Sequence, residues 1–377
     1  MGLAVYIHIP FCVKKCNYCD FPSYPGAGYD VGAYLAALGL EMDLYRDAWL
    51  GKEVSTLFIG GGTPSILTEA QLESLFGLIH SRFTLEEDAE VTFEGNPGTL
   101  DAGKFGLLRE GGVNRLSLGA QSLDDEMLKG LGRIHSSAEA LRAFELARAA
   151  GFKNINLDLM HGLPGQSEGA WQDTLRRAVK LKPEHLSVYG LIIEAGTPFG
   201  QAFEEGYMEL PEEEVRASMM QWGSEYLSSN GYTHYEISNY ARPGRECRHN
   251  IVYWQNETYL GFGAGAASYS GGCRRTNTPD VIGYMAKIQR GMVPVAELEK
   301  PDLAQQMAET MFLGLRMLNG VERARFALRF GRELDEIYGT QISFLVGRGL
   351  LENSSAAIWL TNRGVPLANE VFCEFLP

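Results

Sequence analysis

Two hydrophobic patterns alternate along the first half of the chain. Short apolar runs at 4–9, 56–59, 90–94, 115–118, 154–159 and 185–189 have the continuous character of strands buried on both faces of a parallel sheet. Between them lie segments of helical length with one apolar face, such as 34–49 and 136–150. Two helix starts carry capping boxes, Thr68-x-x-Gln71 and Ser136-x-x-Glu139, and Gly151 is placed to close the second helix. Six β–α units predict an α/β fold, an incomplete (β/α)6 barrel, although a doubly wound sheet would show nearly the same periodicity. In either case the functional groups should gather where the strands end and the following loops begin.

A further amphipathic helix over 212–230 completes an expected first domain, 1–230. From 231 to 300 the pattern turns irregular and rich in Tyr, Asn and Gly, with the run Gly261-Phe262-Gly263-Ala264-Gly265. Helical periodicity returns in 301–377, at 303–318, 323–330, 333–338 and 341–347. A hairpin over 350–360, turning at Asn353-Ser354, and a last helix from 361 follow. This predicts a mostly helical, winged-helix-like C-terminal domain. Many winged helices bind DNA, but here seven Arg and no Lys stand against nine Asp and Glu. Packing or partner docking fits that balance better.

Charge over the whole chain points the same way. The formal net charge is −14, and phosphate repulsion argues against a nucleic-acid partner. No run approaches the ~18 consecutive apolar residues of a membrane span. The N-terminal stretch lacks the basic start and small-residue cleavage site of a signal peptide, and Tyr6 breaks the myristoylation pattern. A cytoplasmic protein is the expectation.

Of six cysteines, Cys247, Cys273 and Cys373 are scattered, while Cys12, Cys16 and Cys19 share one loop after the first strand. In a reducing compartment a tight group reads as metal ligation. Three thiolates at Cys-x-x-x-Cys-x-x-Cys spacing can wrap one corner of a [4Fe-4S] cluster, each on its own iron. A cluster normally takes four cysteines, so the fourth iron stays open, here for S-adenosylmethionine (SAM) and its reductive cleavage. A Cys3His zinc site with His8 as fourth ligand is the competing reading.

Gly60-Gly61-Gly62-Thr63-Pro64 ends the second strand, where missing Cβ atoms let a ligand meet the backbone. Glu94, Gln121 and Asp158 recur at or near later strand ends, and Arg133 lies in the loop Gly132-Arg133-Ile134-His135. Carboxylates suit ribose hydroxyls and an ammonium group, and a guanidinium suits a carboxylate. Any one of them could equally serve a surface or a cap.

Together these residues resemble the family of radical SAM coproporphyrinogen oxidases and their relatives, the haem chaperones. The resemblance runs through residues 6–19, 60–64, Glu94-Gly95-Asn96-Pro97, and residues 115–121, 158–165 and 261–268. It implies that Tyr6, Gly61, Gly62, Thr63, Glu94 and Asp158 serve the SAM at the cluster, and that Gln121 and Arg133 touch a second SAM. Three departures favour the chaperone branch. Phe21 stands where the oxidases carry a further cysteine, the chain starts almost at its first strand, and His249-Asn250-x-x-Tyr253-Trp254 resembles the HNxxYW pattern of the chaperones. In that pattern His249 would be an axial haem ligand between aromatics, with Arg245 and Arg248 near the propionates. A hydrogen-bonded structural histidine is the plain alternative, and Cys247 a less favoured ligand. Cys273 and Cys373 are expected to be buried, inert thiols, and the other histidines to hold no metal. The implied function is binding of haem and its transfer to acceptor proteins, membrane-bound ones included. Oxygen-independent coproporphyrinogen III oxidation is the rival, and radical chemistry on another substrate a third reading.

Overall fold

The computed structural model describes residues 2–377. Its first six long strands are β1 (Leu3–Ile9), β2 (Glu53–Gly61), β3 (Thr84–Gly95), β4 (Arg115–Gln121), β5 (Ile155–His161) and β6 (His185–Gly190). They lie side by side in chain order and all parallel, with Ile7 beside Ile59, Leu57 beside Val91 and Asp158 beside Ser187. Alternation divides their side chains. Val5, Ile7, Ile59, Phe93, Leu118 and Leu157 are buried in the main core, which also takes in Leu75, Phe105, Phe144 and Trp171 from the intervening helices. Residues of opposite parity, such as Ser117, Asn156, Asp158 and Ser187, hydrogen-bond to one another inside the curve. A polar inner face lined by side chains marks a partial barrel rather than a doubly wound sheet.

Both expected capping boxes form, Thr68 with Gln71 and Ser136 with Glu139. The helix expected over 34–49 is two, Val31–Leu44 started by Asp30 and Arg46–Trp49. The stretch read as irregular, 231–300, contributes half the strands of the main sheet. On one side β7 (Thr233–Glu236) and β8 (Asn239–Ala241) extend it antiparallel beyond β6. On the other, β9 (Tyr259–Phe262) runs parallel to β1, followed by antiparallel β10 (Ala267–Ser270), β11 (Cys273–Asn277) and β12 (Val295–Glu299). These strands are three to five residues long and broken by glycines at positive φ, among them Gly263, Gly265, Gly271 and Gly272. No window is long enough for a period to emerge.

The C-terminal part has its own core, with Met311, Phe326, Ile342, Leu345, Ile358 and Phe375 buried together. Helices Leu303–Gly314, Arg323–Phe330 and Leu334–Gly347 precede the hairpin Leu351–Asn353/Ala357–Leu360, which Val321–Glu322 completes to three strands. That is winged-helix-like, as expected. The final helix starts later than 361, at Ala368, after a short 3-10 turn over Val365–Leu367.

Candidate functional site

A cavity of about 370 Å³ opens at the C-terminal ends of the barrel strands. Cys12, Cys16, Cys19, Gly61, Gly62, Thr63, Glu94, Gln121, Arg133 and Asp158 all line it, so residues spread over 147 positions of sequence meet in one place. Phe21 stands at its edge, largely exposed.

The glycine run is required sterically. Gly61 has φ of 111°, and a Cβ there would stand 2.5 Å from the His8 ring; one on Gly62 would stand 2.8 Å from the Phe11 carbonyl oxygen. Gly62 N–H donates to Ile9 O at 2.9 Å and Thr63 N–H to Phe11 O at 2.8 Å, which pins the run to the root of the cysteine loop. Gly61 N–H donates to Glu94 Oε2 at 3.1 Å. Burial, and then the charge of Asp158, push the Glu94 carboxyl up to about 8. Asp158 is also raised by burial, against hydrogen bonds from Asn156 at 2.8 Å and Ser117 at 3.1 Å. Two carboxyls in a buried cavity wall, one raising the pKa of the other, favour a cationic ligand there.

Each cysteine sulfur has a hydrogen-bonding neighbour. Thr63 Oγ1 donates to Cys12 Sγ at 3.4 Å, Arg133 Nη1 donates to Cys16 Sγ at 3.3 Å, and Ser23 Oγ lies 4.0 Å from Cys19 Sγ. Burial raises the thiol pKa of Cys12 and of Cys19. Among the described residues no three His, Cys, Asp or Glu side chains converge as one ion would demand. His8 is occupied at both nitrogens, Nδ1 by Tyr6 OH and Nε2 by Pro22 O, each at 2.9 Å. His8 is thus engaged elsewhere and not free as the fourth ligand of the zinc reading. Sulfurs spaced around a shared cavity suit a cluster that offers each its own iron.

Tyr6 departs from expectation, because it does not line the cavity. It points into the barrel interior with its hydroxyl on His8, and burial raises its pKa well above the usual tyrosine range. Gln121 does line the cavity, with φ of 63°, a left-handed conformation uncommon for a residue with a Cβ and found preferentially at functional sites. Tyr18, Ser23, Ser117 and Tyr189 also face the cavity and were not singled out from sequence. For Ser117 a signal existed, since it shares strand parity with Gln121; for Ser23 there was none.

His249 lies at the opposite end of the barrel. The helix Arg248–Trp254 closes the N-terminal ends of the strands, and the Glu90 carboxylate at the start of β3's buried part accepts N–H from Arg248 at 3.1 Å and His249 at 3.0 Å. That is the favourable position for a negative charge at a helix start. His249 is 1% exposed, with Nδ1 against Thr56 Oγ1 at 2.9 Å and Nε2 against Tyr253 OH at 2.8 Å. Burial holds it neutral, with its pKa lowered to about 3. As folded, the imidazole has no free nitrogen for a haem iron, so the expected axial ligand is in this conformation a structural histidine. Cys247 is buried too, its thiol pushed up to about 12 by desolvation, whereas Cys273 is half-buried and Cys373 exposed, contrary to the burial expected of both, because they sit on a peripheral strand and at the end of the last helix. A polar chain links the two ends: Asp158 to Asn156, Asn156 to His185 at 2.7 Å, His185 to Tyr235 at 2.8 Å, and Tyr235 to the Cys247 N–H at 3.2 Å.

Comparison with known proteins agrees with this layout. Residues 6–178 match the family model described as Radical SAM superfamily, and 302–367 match the HemN C-terminal domain. The solved structure of coproporphyrinogen III oxidase (HemN) from Escherichia coli superposes with a TM-score of 0.87, over 99% of this chain and 90% of that one, at 24% identity; it shares the fold. Proteins named Heme chaperone HemW are 42% identical in Bacillus subtilis, over 99% of both chains, and 37% identical in Escherichia coli, over 99% of this chain and 98% of the relative. With identity at that level along its whole length, this chain belongs to the HemW family of radical SAM proteins.

Proposed function

We propose that this protein is a haem chaperone, which binds haem and passes it to acceptor proteins. Its full-length identity with relatives of that name is the observation that carries the reading. Cys12, Cys16 and Cys19 would hold a [4Fe-4S] cluster. Gly61, Gly62, Thr63, Glu94 and Asp158 would hold SAM, whose reductive cleavage is the chemistry such a pair supplies. That the three cysteines, the glycine run, Glu94 and Asp158 all line one cavity supports those assignments. Gln121 stands ready for a second SAM, while Tyr6 acts indirectly, by holding the His8 ring beneath Gly61. No described helix is long and apolar enough to cross a membrane, and we place the protein in the cytoplasm, meeting acceptors that include membrane-bound ones.

Phe21, exposed beside the third cysteine, favours the chaperone over the oxidase, because an aromatic ring offers neither a thiol's redox chemistry nor its hydrogen bond. His249 can ligate haem only when the helix Arg248–Trp254 leaves the barrel floor and its two ring hydrogen bonds are exchanged. The test is anaerobic reconstitution, haem titration, and transfer to a haem-free acceptor, with coproporphyrinogen III assayed in parallel. Haem passing to the acceptor without decarboxylation is the expected result. Repeated turnover of coproporphyrinogen III would replace the chaperone with the oxidase.

A further inference from the structure

Among the side chains hydrogen-bonded to the three cysteine sulfurs only one is charged, and the Lys15 ammonium near Cys19 is given instead to the Phe21 carbonyl at 2.9 Å. Thr63 and Ser23 bring neutral hydroxyls to Cys12 and Cys19. Arg133 brings a guanidinium to Cys16 from the loop after β4, 117 positions away in sequence. That guanidinium is anchored, since Nη2 donates to the Gly119 carbonyl at 2.5 Å while Nη1 donates to Cys16 Sγ. Gly119 leaves room for the contact: a Cβ there would stand 3.1 Å from Arg133 Nη2. Only Nε is buried without a partner. A planar fork with both terminal nitrogens committed in this way holds one orientation, and its charge cannot be titrated away.

We propose that Arg133 is a positioning residue for the cluster's electron, raising the reduction potential by donating a charged hydrogen bond to the Cys16 thiolate. The inference rests on Cys12, Cys16 and Cys19 holding a [4Fe-4S] cluster. One electron from an external low-potential donor adds one negative charge to the cluster. A fixed cation at one sulfur therefore stabilises the reduced state more than the oxidised one, and hydrogen bonds to sulfur are an established lever on such potentials. The neutral donors at Cys12 and Cys19 act in the same direction but carry no net charge. Arg133 would act on the cluster in this way in addition to any contact with the SAM to which the family resemblance assigned it.

The test is a potentiometric titration of the reconstituted cluster without SAM, read by visible absorbance and electron paramagnetic resonance. Arg133→Gln should keep full iron and sulfide yet shift its reduction equilibrium at least ~tenfold toward the oxidised state, which is about 59 mV for one electron. Ser23→Ala and Thr63→Val should shift it less, and Arg133→Lys should recover at least half of the loss. A loaded Arg133→Gln cluster with the wild-type potential, or one shifted no more than Ser23→Ala, overturns the proposal. Should Arg133→Gln fail to load, Arg133→Lys decides: a potential near wild type supports the charge, and a full tenfold loss removes it. A wild-type protein without iron and sulfide would instead overturn the cluster itself.

Discussion

The two ends of this barrel are built from the same strands by opposite rules. At the mouth, polar groups face a cavity and several are left short of partners: Glu94 accepts one backbone N–H, Arg133 Nε has none, and Gln121 sits at positive φ. At the floor, Glu90, His185, Tyr235 and His249 are satisfied by one another and by the helix Arg248–Trp254, and the polar atoms left over, Arg115 Nε and Trp254 Nε1, are buried without lining the cavity. Unsatisfied polarity that faces a cavity is available to a ligand; satisfied polarity in a dry interior sets structure. In (β/α) barrels generally, chemistry collects at the C-terminal face and stability at the N-terminal face. The family's HNxxYW pattern lies on the stability side, which the sequence could not reveal.

The largest contrast should come from removing one group at each end. Cys16→Ser at the mouth should abolish iron–sulfur absorbance after anaerobic reconstitution while changing the unfolding free energy of the apoprotein by less than ~0.5 kcal/mol. His249→Ala at the floor should do the reverse, leaving iron and sulfide loading intact and costing about 2–4 kcal/mol, since it opens a cavity and strands Thr56 and Tyr253. Denaturant melts with iron and sulfide analysis read both. Full cluster content in Cys16→Ser would remove that loop from the ligand set, and a neutral His249→Ala would break the distinction between the ends.

How far the sequence carried depends on the same distinction. The six barrel strands were legible because each is a buried apolar run set off by capped helices, as around Ser136 and Glu139. The mouth was legible because a cysteine triplet and a glycine run have few other uses at strand ends. Arg133 was found as a residue but not as a partner of Cys16, because a contact across 117 positions leaves no local trace. The hydrogen bonds that hold His249 were not legible for a related reason. A motif on a short helix names its residues but not the surface they bury against, and here Thr56 and Glu90 supply that surface from distant strands.

Acid and alkali should separate the ends more gently. At the floor, burial lowers the pKa of His249 to about 3 and that of His185 well below its usual value. Their contribution to stability is present above the ordinary histidine range and is lost as pH falls through it toward the folded values. At the mouth, Glu94 has its pKa raised to about 8, so its contribution is present below the ordinary carboxylate range and is lost as pH rises through 8. Urea melts of the apoprotein at pH 7.5 and 5.5 should therefore show His249→Asn losing less stability than wild type on acidification, by on the order of 1 kcal/mol. Glu94→Gln should instead flatten the loss between pH 6 and 9. Equal pH slopes in wild type and both variants would show that neither group titrates as its surroundings dictate.

The smallest effect tests whether the floor can open to haem at all. If His249 ligates the iron, the competent state is one in which the Arg248–Trp254 helix has left Thr56 and the imidazole has released the Tyr253 hydroxyl of its own helix, and apparent affinity is reduced to the extent that this state is rare. Removing one closing bond should then tighten binding. Tyr253→Phe keeps the ring against His249, whose centroid is 5.0 Å away, and deletes only the hydroxyl that meets Nε2. One neutral hydrogen bond is worth about 1 kcal/mol net, so the open fraction should rise about fivefold and the apparent Kd for haem fall by the same factor. Amide exchange over 248–254 should quicken in parallel, and His249→Ala should lose the tightened binding together with its Soret signature. Faster exchange with unchanged haem affinity would mean that the floor opens without serving haem, which would leave His249 a structural residue and confine ligand binding to the mouth.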